Sequence, residues 1–268
     1  MERKRIMTVK IGGKMAESDE MIGHLAEEMC RLSDAYWFTI IHGGGAEVTA
    51  LSRRLGMEPL FRDGIRMTSP AEMDIADMVL CGKLNKKLVR LFRTCGLDAV
   101  GLSGSDGGVF TAQAMTGNNG EKTRTGEVCE VNPRLLMLLL QEDYLPVIAS
   151  TSIDAQGLAL NVNADSVAFS LASNLGSYGL VFLSDIAGII KNGVLLRDLS
   201  ADEAKQEIQT GTITGGMIPK VESSLRAINN GVQSIIIGTY EYKGNLKDLL
   251  SGKQGTHVHS CLDLRRKT

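Results

Sequence analysis

Short aliphatic runs alternate with amphipathic stretches along this chain. The aliphatic runs have the continuous apolar character of strands buried on both faces of a sheet, and the stretches between them repeat their apolar residues at helical spacing. Core strands are predicted at 6–11, 37–41, 99–102, 145–148, 158–162, 180–183 and 234–237. Helices are predicted at 18–32, 46–55, 69–80, 84–95, 133–141, 166–175, 201–209 and 219–230. Strands that alternate with helices predict an α/β fold, with an open, mainly parallel sheet sandwiched between helices in three layers.

Local signals sharpen some of these boundaries. Ser69-Pro70-Ala71-Glu72 matches a capping box with proline at the first helical position. Asn192-Gly193, between two short apolar runs, predicts a hairpin with a type I′ turn. The segment 61–68 is expected to be a polar loop or hairpin, and a weakly marked boundary near 172–179 suggests two lobes.

The composition narrows the class of protein. With 268 residues, 43% of them hydrophobic and only 4% aromatic, the chain is expected to have a sizeable, aliphatic core. The net charge of −2 and the mixing of acidic and basic residues do not favour a nucleic-acid or membrane surface. Five scattered cysteines without a CxxC pair favour a reducing, cytoplasmic location. No apolar run approaches the length of a membrane span.

The leading candidate for chemistry is the glycine turn Gly43-Gly44-Gly45, which follows the 37–41 strand and opens the next helix. Glycine lets a ligand approach the main chain closely, and the N–H groups at a helix start favour anions. Ligands of open α/β sheets also collect at the carboxyl ends of the strands. The turn is therefore interpreted as a cradle for a phosphoryl group during its transfer. A tight turn that only needs positive φ is the alternative.

Two similar turns, Gly12-Gly13 and Gly215-Gly216, each have a lysine nearby. Lys10 lies inside the first strand, where a lysine is rarely buried without a partner. Lys220 lies in the first turn of a helix, where a cation opposes the macrodipole unless an anion is bound there. A strand-edge lysine and a solvated helix lysine are the alternatives. No Walker A motif or dinucleotide fingerprint accompanies these turns.

Polar residues in the middle of the chain are candidates for an acceptor site. Asn161 and Asn163 alternate on one face of an extended segment, and Asp165 follows, where it is expected to cap the helix at 166–175. Arg66, in a glycine-containing loop, can hold a carboxylate with two hydrogen bonds; a surface arginine is the alternative. Phosphoryl transfer needs positioning and neutralisation of charge, which two lysines, main-chain N–H groups and Mg²⁺ can supply. Transfer to a carboxylate needs no general base, because no proton has to be removed.

These motifs, in this order, resemble those of the N-acetylglutamate kinases of the amino acid kinase family, and they span nearly the whole chain. The matching stretches are 9–13, 42–45, 61–68, 82–86, 101–104, 160–165, 183–188 and 215–220. The resemblance implies an N-terminal lobe, 1–175, that binds the amino acid and forms a homodimer, and a C-terminal lobe, 176–268, that binds ATP. The implied reaction is ATP-dependent phosphorylation of the side-chain carboxylate of N-acetyl-L-glutamate to the 5-phosphate, a step of arginine synthesis.

The same resemblance implies a role for each candidate residue. Lys10 and Lys220 would stabilise the transferring phosphoryl group, and Asp165 would orient these lysines. The acceptor site would be formed by Gly44, Gly45, Arg66, Asn161 and Asn163. The nucleotide site would be formed by Gly12, Gly13, Ser184, Asp185, Gly215 and Gly216, with ATP and Mg²⁺ as cofactors and no metal held by protein ligands.

Some positions depart from the family pattern. Ser184 stands where a threonine is usual, and Gly238-Thr239-Tyr240 stands where Asp-Gly usually follows the last core strand. Arginine-inhibited members carry an extra helix before the first strand, where this sequence has only 1–5, so a homodimer insensitive to arginine is expected. Two alternatives stay open. One is a related kinase with another acceptor, such as an aminoadipate derivative, and the other is a non-catalytic sensor of ATP or an amino acid.

Overall fold

The computed structural model describes residues 4–62, 64–116, 120, 122–213 and 217–260. The strands in these residues are β1 (Arg5–Ile11), β2 (Tyr36–His42), β3 (Phe61–Arg62), β4 (Ile65–Arg66), β5 (Ala99–Leu102), β6 (Phe110–Thr116), β7 (Lys122–Val131), β8 (Leu145–Ala149), β9 (Thr151–Ile153), β10 (Ala159–Val162), β11 (Gly179–Leu183), β12 (Ile190–Lys191), β13 (Val194–Leu195), β14 (Asp198–Ser200), β15 (Ser234–Gly238) and β16 (Thr256–His259). The α-helices are α1 (Asp19–Leu32), α2 (Gly45–Arg54), α3 (Pro70–Asp77), α4 (Asn85–Thr94), α5 (Arg134–Gln141), α6 (Ala164–Asn174), α7 (Ala201–Gln209), α8 (Met217–Asn229) and α9 (Asn245–Leu250).

The chain divides into two compact units. The first unit comprises Met1–Phe38 and Leu171–Thr268, and the second comprises Thr39–Ser170. In the first unit, β1, β11 and β15 run parallel, β16 is antiparallel to β15, and β14 is parallel to β16. The start of the chain joins the C-terminal part because β1 pairs with β11 over five residues. The functional lobes were expected at 1–175 and 176–268, whereas the compact units group residues 1–38 with 171–268. The functional division between the lobes stays a prediction.

The second unit contains a parallel arrangement of β2, β8 and β5 and a separate four-stranded sheet in the order β6-β7-β10-β9. Helix α3 passes through a π-helical turn, Met78–Leu84, directly into α4, so the two predicted helices form one continuous segment. Aliphatic side chains of this segment pack against α2 and β8. The buried members of this cluster are Val48, Met73, Ile75, Ala76, Val79, Leu80, Leu84 and Ala149.

The structure confirms the predicted class, a mainly parallel α/β fold with layers of helices on its sheet. It also confirms the capping box at the start of α3, where the side chains of Ser69 and Glu72 each accept from the other residue's main-chain N–H. The hairpin β12–β13 turns through Asn192 and Gly193 with φ of 51° and 79°, as a type I′ turn requires. In the described part of the chain, no helix is both long and apolar enough to cross a membrane.

One local prediction is wrong. Asp165 does not cap the helix after β10, because α6 begins at Ala164, two residues before the predicted start at 166. The side chain of Asn163 accepts a hydrogen bond from the Asp165 N–H at 2.8 Å, and the Asn163 carbonyl accepts the first main-chain bond, from Val167. Asn163 therefore occupies the capping position, and Asp165 lies in the first turn of the helix.

Candidate active site

The glycine turn connects β2 to α2. Helix α2 begins at Gly45, and its first main-chain hydrogen bond runs from the Val48 N–H to the Gly44 carbonyl at 3.0 Å. The N–H groups that precede this bond lie outside the helical ladder, as they do at every helix start. These N–H groups are the part of the turn that can bind an anion.

Glycine is required at position 44 by space rather than by backbone conformation. Its φ of 162° is extended, so the alternative of a turn that needs positive φ does not hold there. A Cβ at Gly44 would collide with Leu84 Cδ1 and would lie 2.8 Å from Leu80 Cδ2, both in the π-helical turn. A Cβ at Gly45 would meet no atom within 4 Å. One side of the turn is thus closely packed, and the other side is open.

A second helix start lies beside the turn. A Cβ built on Gly43 would be 3.3 Å from the Cβ of Ala164, the first residue of α6. The starts of α2 and α6, each with a positive end of a helix dipole, therefore meet at the Gly43–Gly45 turn. Asn163 and Asp165 flank Ala164, so the structure brings both residues to this place. Two converging helix N-termini form a site suited to a phosphoryl or carboxylate group.

Arg66 is not a surface arginine, since only 7% of its side chain is exposed. Its Nη2 donates to the Gly45 carbonyl at 3.0 Å and to Thr49 Oγ1 at 2.5 Å. Its Nη1 lies 3.6 Å from the buried Glu72 carboxylate, and its guanidinium stacks on the Phe61 ring at 4.8 Å. Nη1 has no hydrogen-bond partner within the described residues. Burial lowers the pKa of Arg66 and the Glu72 charge opposes this shift, so the side chain stays a cation.

Asn161 lies in β10 and connects to the Arg66 segment through two threonines. Asn161 Nδ2 donates to Thr68 Oγ1 at 3.0 Å, and the Thr68 N–H donates to Thr125 Oγ1 at 2.8 Å. The Thr125 hydroxyl in turn donates to the Arg66 carbonyl at 2.6 Å. These bonds connect Asn161 to the segment whose Arg66 guanidinium donates to the Gly45 carbonyl of the glycine turn.

The first unit gathers predicted nucleotide-site residues at the ends of β1 and β11. The Gly12 N–H donates to the Leu183 carbonyl at 3.1 Å, which places the Gly12-Gly13 turn beside Ser184 and Asp185. A Cβ on Gly12 would collide with the Nζ of Lys10, so glycine leaves room for the lysine side chain. The Oγ of Ser184 is buried without a hydrogen-bond partner in the described part of the structure. Gly215 and Gly216 lie outside the described residues.

Both predicted lysines are neighbours of Phe182 in β11. Lys10 is the register partner of Phe182 in the parallel pair β1–β11, so their side chains project to the same face of the sheet. Lys220, in the first turn of α8, holds its Nζ 5.5 Å from the centroid of the Phe182 ring. The two ammonium groups thus belong to the same sheet face, while their roles in catalysis stay predictions.

Three polar residues near the glycine turn were missed at the sequence level. Thr49 and Glu72 hold Arg66, and His42 makes hydrogen bonds at both ring nitrogens: Nδ1 to the Gly43 carbonyl at 2.9 Å and Nε2 to Asn85 Nδ2 at 3.2 Å. Burial lowers the pKa of His42 to about 4, against a smaller opposing effect of the Gly43 hydrogen bond. The available signal was the position of His42, a polar residue between a buried strand and the glycine triplet.

Among the described residues, no group of three or more His, Cys, Asp or Glu side chains is placed to hold a metal ion. Mg²⁺ in kinase sites is commonly bound by one or two carboxylates together with substrate phosphates and water.

Comparison with known proteins extends these observations to the whole chain. The family model described as "Amino acid kinase family" matches residues 5–239. The chain is 38% identical to the chloroplastic acetylglutamate kinase of Arabidopsis thaliana over 247 residues, which cover 90% of this chain and 71% of that protein. It is 40% identical to the acetylglutamate kinase of Methanoculleus marisnigri over 216 residues, which cover 76% of this chain and 75% of that protein.

Among solved structures, the fold is similar to that of N-acetylglutamate synthase from Neisseria gonorrhoeae complexed with coenzyme A and N-acetyl-glutamate. The TM-score is 0.83 at 21% identity, and the match covers 96% of this chain and 60% of that chain. At this identity the likeness concerns the fold alone. With the family model matched over most of its length and with relatives of 38% and 40% identity, the chain belongs to the amino acid kinase family, as its motifs predicted.

Proposed function

We propose that the protein is an acetylglutamate kinase, which transfers the γ-phosphoryl group of ATP to the side-chain carboxylate of N-acetyl-L-glutamate in arginine biosynthesis. The observation that carries this proposal is the meeting of two helix starts at the Gly43–Gly45 turn with the buried cation Arg66 beside it. Such a place suits a reaction in which a carboxylate and a phosphoryl group, both negatively charged, come close together. The relatives named above carry the same activity in their names.

The acceptor is proposed to bind in the second unit. Arg66 Nη1 faces the buried Glu72 carboxylate at 3.6 Å without a hydrogen-bond partner among the described residues, and we propose that the acceptor carboxylate that is not phosphorylated binds at this guanidinium. Asn161 and Asn163 offer amide groups to the rest of the substrate, and the open side of Gly45 leaves room for the reacting carboxylate. ATP is proposed to bind in the first unit, at Gly12, Gly13, Ser184, Asp185, Gly215 and Gly216.

The chemistry is a displacement at phosphorus. An oxygen of the acceptor carboxylate forms a bond to the γ-phosphorus of ATP, the bond from that phosphorus to the bridging oxygen breaks, and ADP leaves with the electron pair. No proton moves, so the residues have only to position the reactants and neutralise charge. Lys10 and Lys220 are proposed to stabilise the moving phosphoryl group, and Asp165 is proposed to orient them. Mg²⁺, bound to the ATP phosphates, supplies further charge neutralisation.

Assembly, location and regulation are further parts of the proposal. A homodimer is proposed, and sedimentation velocity that gives the mass of a single chain at micromolar concentration would contradict it. A cytoplasmic location and insensitivity to arginine also stay predictions. Activity measured with and without millimolar arginine tests the last of these, since strong inhibition is incompatible with it.

The direct test is an ADP-release assay with N-acetyl-L-glutamate, glutamate and aminoadipate as acceptors. N-acetyl-L-glutamate is expected to be the preferred acceptor, and hydroxylamine is expected to trap its acyl phosphate as the hydroxamate. A preference for an aminoadipate derivative would identify the related kinase instead. Binding of ATP without turnover on any of these acceptors would favour the sensor.

A further inference from the structure

His42 is completely buried, and both of its ring nitrogens are used. Nδ1 lies 2.9 Å from the carbonyl oxygen of Gly43, which can only accept, so Nδ1 carries a proton. Nε2 lies 3.2 Å from Nδ2 of Asn85, which can only donate, so Nε2 carries a lone pair. The imidazole is therefore neutral, with its proton at the nitrogen that faces the glycine turn.

The orientation of the Asn85 amide is fixed by its other neighbours. Its Nδ2 donates to the Val147 carbonyl at 2.8 Å, and its Oδ1 accepts from Lys86 Nζ at 3.1 Å. Reversal of the amide would place an oxygen against a carbonyl oxygen and a nitrogen against an ammonium group. Asn85 thus connects β8 to the imidazole in a single arrangement.

This asparagine is buried and lies close to the main chain of β5. Only 1% of Asn85 is exposed, and a Cβ on Gly101 of β5 would collide with its Oδ1 and would lie 2.7 Å from Lys86 Nζ. Asn85 also directly follows the π-helical turn whose Leu84 packs against Gly44. The same segment therefore meets the glycine turn in two ways, through an apolar side chain and through the asparagine–histidine pair.

The carbonyl held by His42 is coupled to the N–H of the next residue. In a planar trans peptide the C=O of Gly43 and the N–H of Gly44 point in opposite directions, and the described chain contains no cis peptide bond. A fixed Gly43 carbonyl therefore fixes the direction of the Gly44 N–H at the start of α2. Gly43 and Gly44 have no side chains that would restrict this peptide, so the hydrogen bond from His42 is a direct means of fixing it.

We propose that Asn85 and His42 are positioning residues for phosphoryl transfer: Asn85 holds His42, and His42 holds the Gly43 peptide so that the amides of the glycine turn point at the transferred group. This inference rests on the proposed function, because it assigns the turn to the moving phosphoryl. Neither residue touches the substrate, and both act through the main chain of the turn.

The experiment compares three variants in the kinase assay. Asn85→Ala removes the partner of His42, His42→Asn keeps a donor near the Gly43 carbonyl but removes Nε2, and the double variant combines the two changes. Leu88→Val is the matched control, because Leu88 is 1% exposed on the same helix, one turn after Asn85, and its truncation disturbs only packing. Thermal unfolding of each variant identifies the temperatures at which all are folded.

The expected result is a loss of kcat of about 10- to 100-fold for Asn85→Ala, as for other misplacements of catalytic groups, with KM for ATP unchanged. The double variant is expected to lose little more than His42→Asn alone, because Asn85 acts through the histidine. Fully additive losses would overturn the proposal. It would also be overturned by a wild-type kcat for folded Asn85→Ala, or by an equal loss in Leu88→Val.

Long-range proton–nitrogen NMR of the imidazole adds a readout that does not depend on activity. The wild-type protein is expected to show His42 as the neutral Nδ1–H form, and Asn85→Ala is expected to shift the Nε2 resonance, because this nitrogen loses its donor. A mixed or charged imidazole in the wild type would overturn the inference. If the wild type shows no kinase activity but does show the Nδ1–H form, the proposed function fails while the asparagine–histidine geometry stands.

Discussion

Replacement of Arg66 by lysine tests the acceptor site most directly. The guanidinium makes interactions that a single ammonium group cannot reproduce together: Nη2 reaches the Gly45 carbonyl at 3.0 Å and Thr49 Oγ1 at 2.5 Å, while Nη1 faces Glu72 at 3.6 Å. A lysine that stays beside Glu72 withdraws from the glycine turn, and one that reaches the turn leaves the Glu72 charge alone. In either position the nitrogen proposed to bind the acceptor is lost.

The size of the effect follows from the strength of a hydrogen bond to a charged group. Such a bond contributes about 1.5–3 kcal/mol, so a variant that cannot form it with the acceptor has a KM for the acceptor raised by about 10- to 100-fold. Without the hydrogen bonds to Gly45 and Thr49, the free energy of unfolding is expected to fall by a similar amount. The ATP site is not expected to change.

Initial rates at varied N-acetyl-L-glutamate, with ATP saturating, measure the acceptor KM, and urea unfolding measures stability. Arg62→Lys is the matched control, because Arg62 lies on the same hairpin and donates to the Thr116 carbonyl at 3.2 Å. It makes the same chemical change away from the turn and is expected to keep the wild-type KM. An unchanged acceptor KM in folded Arg66→Lys protein would remove Arg66 from the acceptor site.

Three further predictions concern the role of Lys220 in catalysis, the pH dependence of stability and the buried hydrogen bond between Tyr240 and Glu28. Lys220→Ala is expected to lower kcat by about 100-fold, equivalent to roughly 3 kcal/mol of barrier, whereas the exposed Lys205→Ala is expected to leave it unchanged; equal rates for the two variants would contradict the assignment. Because the pKa of His42 is lowered from 6.5 to about 4, the unfolded chain binds a proton that the folded chain does not, so stability is lost as pH falls through this window, by about 3 kcal/mol in total. Urea unfolding between pH 7 and 4 checks this, and His42→Asn should show a correspondingly shallower fall. Tyr240→Phe removes the hydroxyl that donates a hydrogen bond to the buried Glu28, and it is expected to lower the free energy of unfolding by about 1–3 kcal/mol without a change in kcat. A calorimetric scan that shows no shift in Tm would contradict this prediction.

Much of the fold could be predicted because its signals are local. The aliphatic strands can be recognised by their continuous apolar runs. The capping box of Ser69 requires particular side chains, and the Asn192-Gly193 turn requires positive φ, which few other residues adopt. The cap of α6 shows the limit of such signals. Asn163 and Asp165 are both good capping residues, and a choice between them depends on where α6 begins, not on their own chemistry.

The elements that were missed depend on distant partners. Strand β14 pairs with β16, whose residues lie far along the chain, and neither has a long apolar run of its own. The π-helical turn between α3 and α4 also has no local marker, because its residues continue the apolar pattern of a helix. Such segments take their conformation from tertiary packing, which the pattern of a single stretch does not contain.

In the candidate site, too, the residues with local signals could be predicted and those that depend on distant partners could not. The glycine turn and the two lysines could be singled out from the sequence because a glycine triplet, a lysine inside a strand and a lysine in the first turn of a helix are unusual in themselves, and their roles stay predictions. The burial of Arg66 was not foreseen, because it depends on Thr49 from α2 and Glu72 from α3, which meet the hairpin only in the folded unit. The pairing of His42 with Asn85 likewise joins residues far apart in the chain.

The composition of the first unit from two separate stretches of the chain has a consequence for synthesis. Strand β1 leaves the ribosome before the second unit does, but its partner β11 is made only after the whole of that unit, Thr39–Ser170, has been translated. At about 5–20 residues per second this delay is on the order of ten seconds. During that time β1 lacks its partner β11, while the continuous second unit is free to fold on the ribosome. Newly made chains therefore expose one unpaired edge of β1 during this interval, and such an edge is a site at which chains can associate.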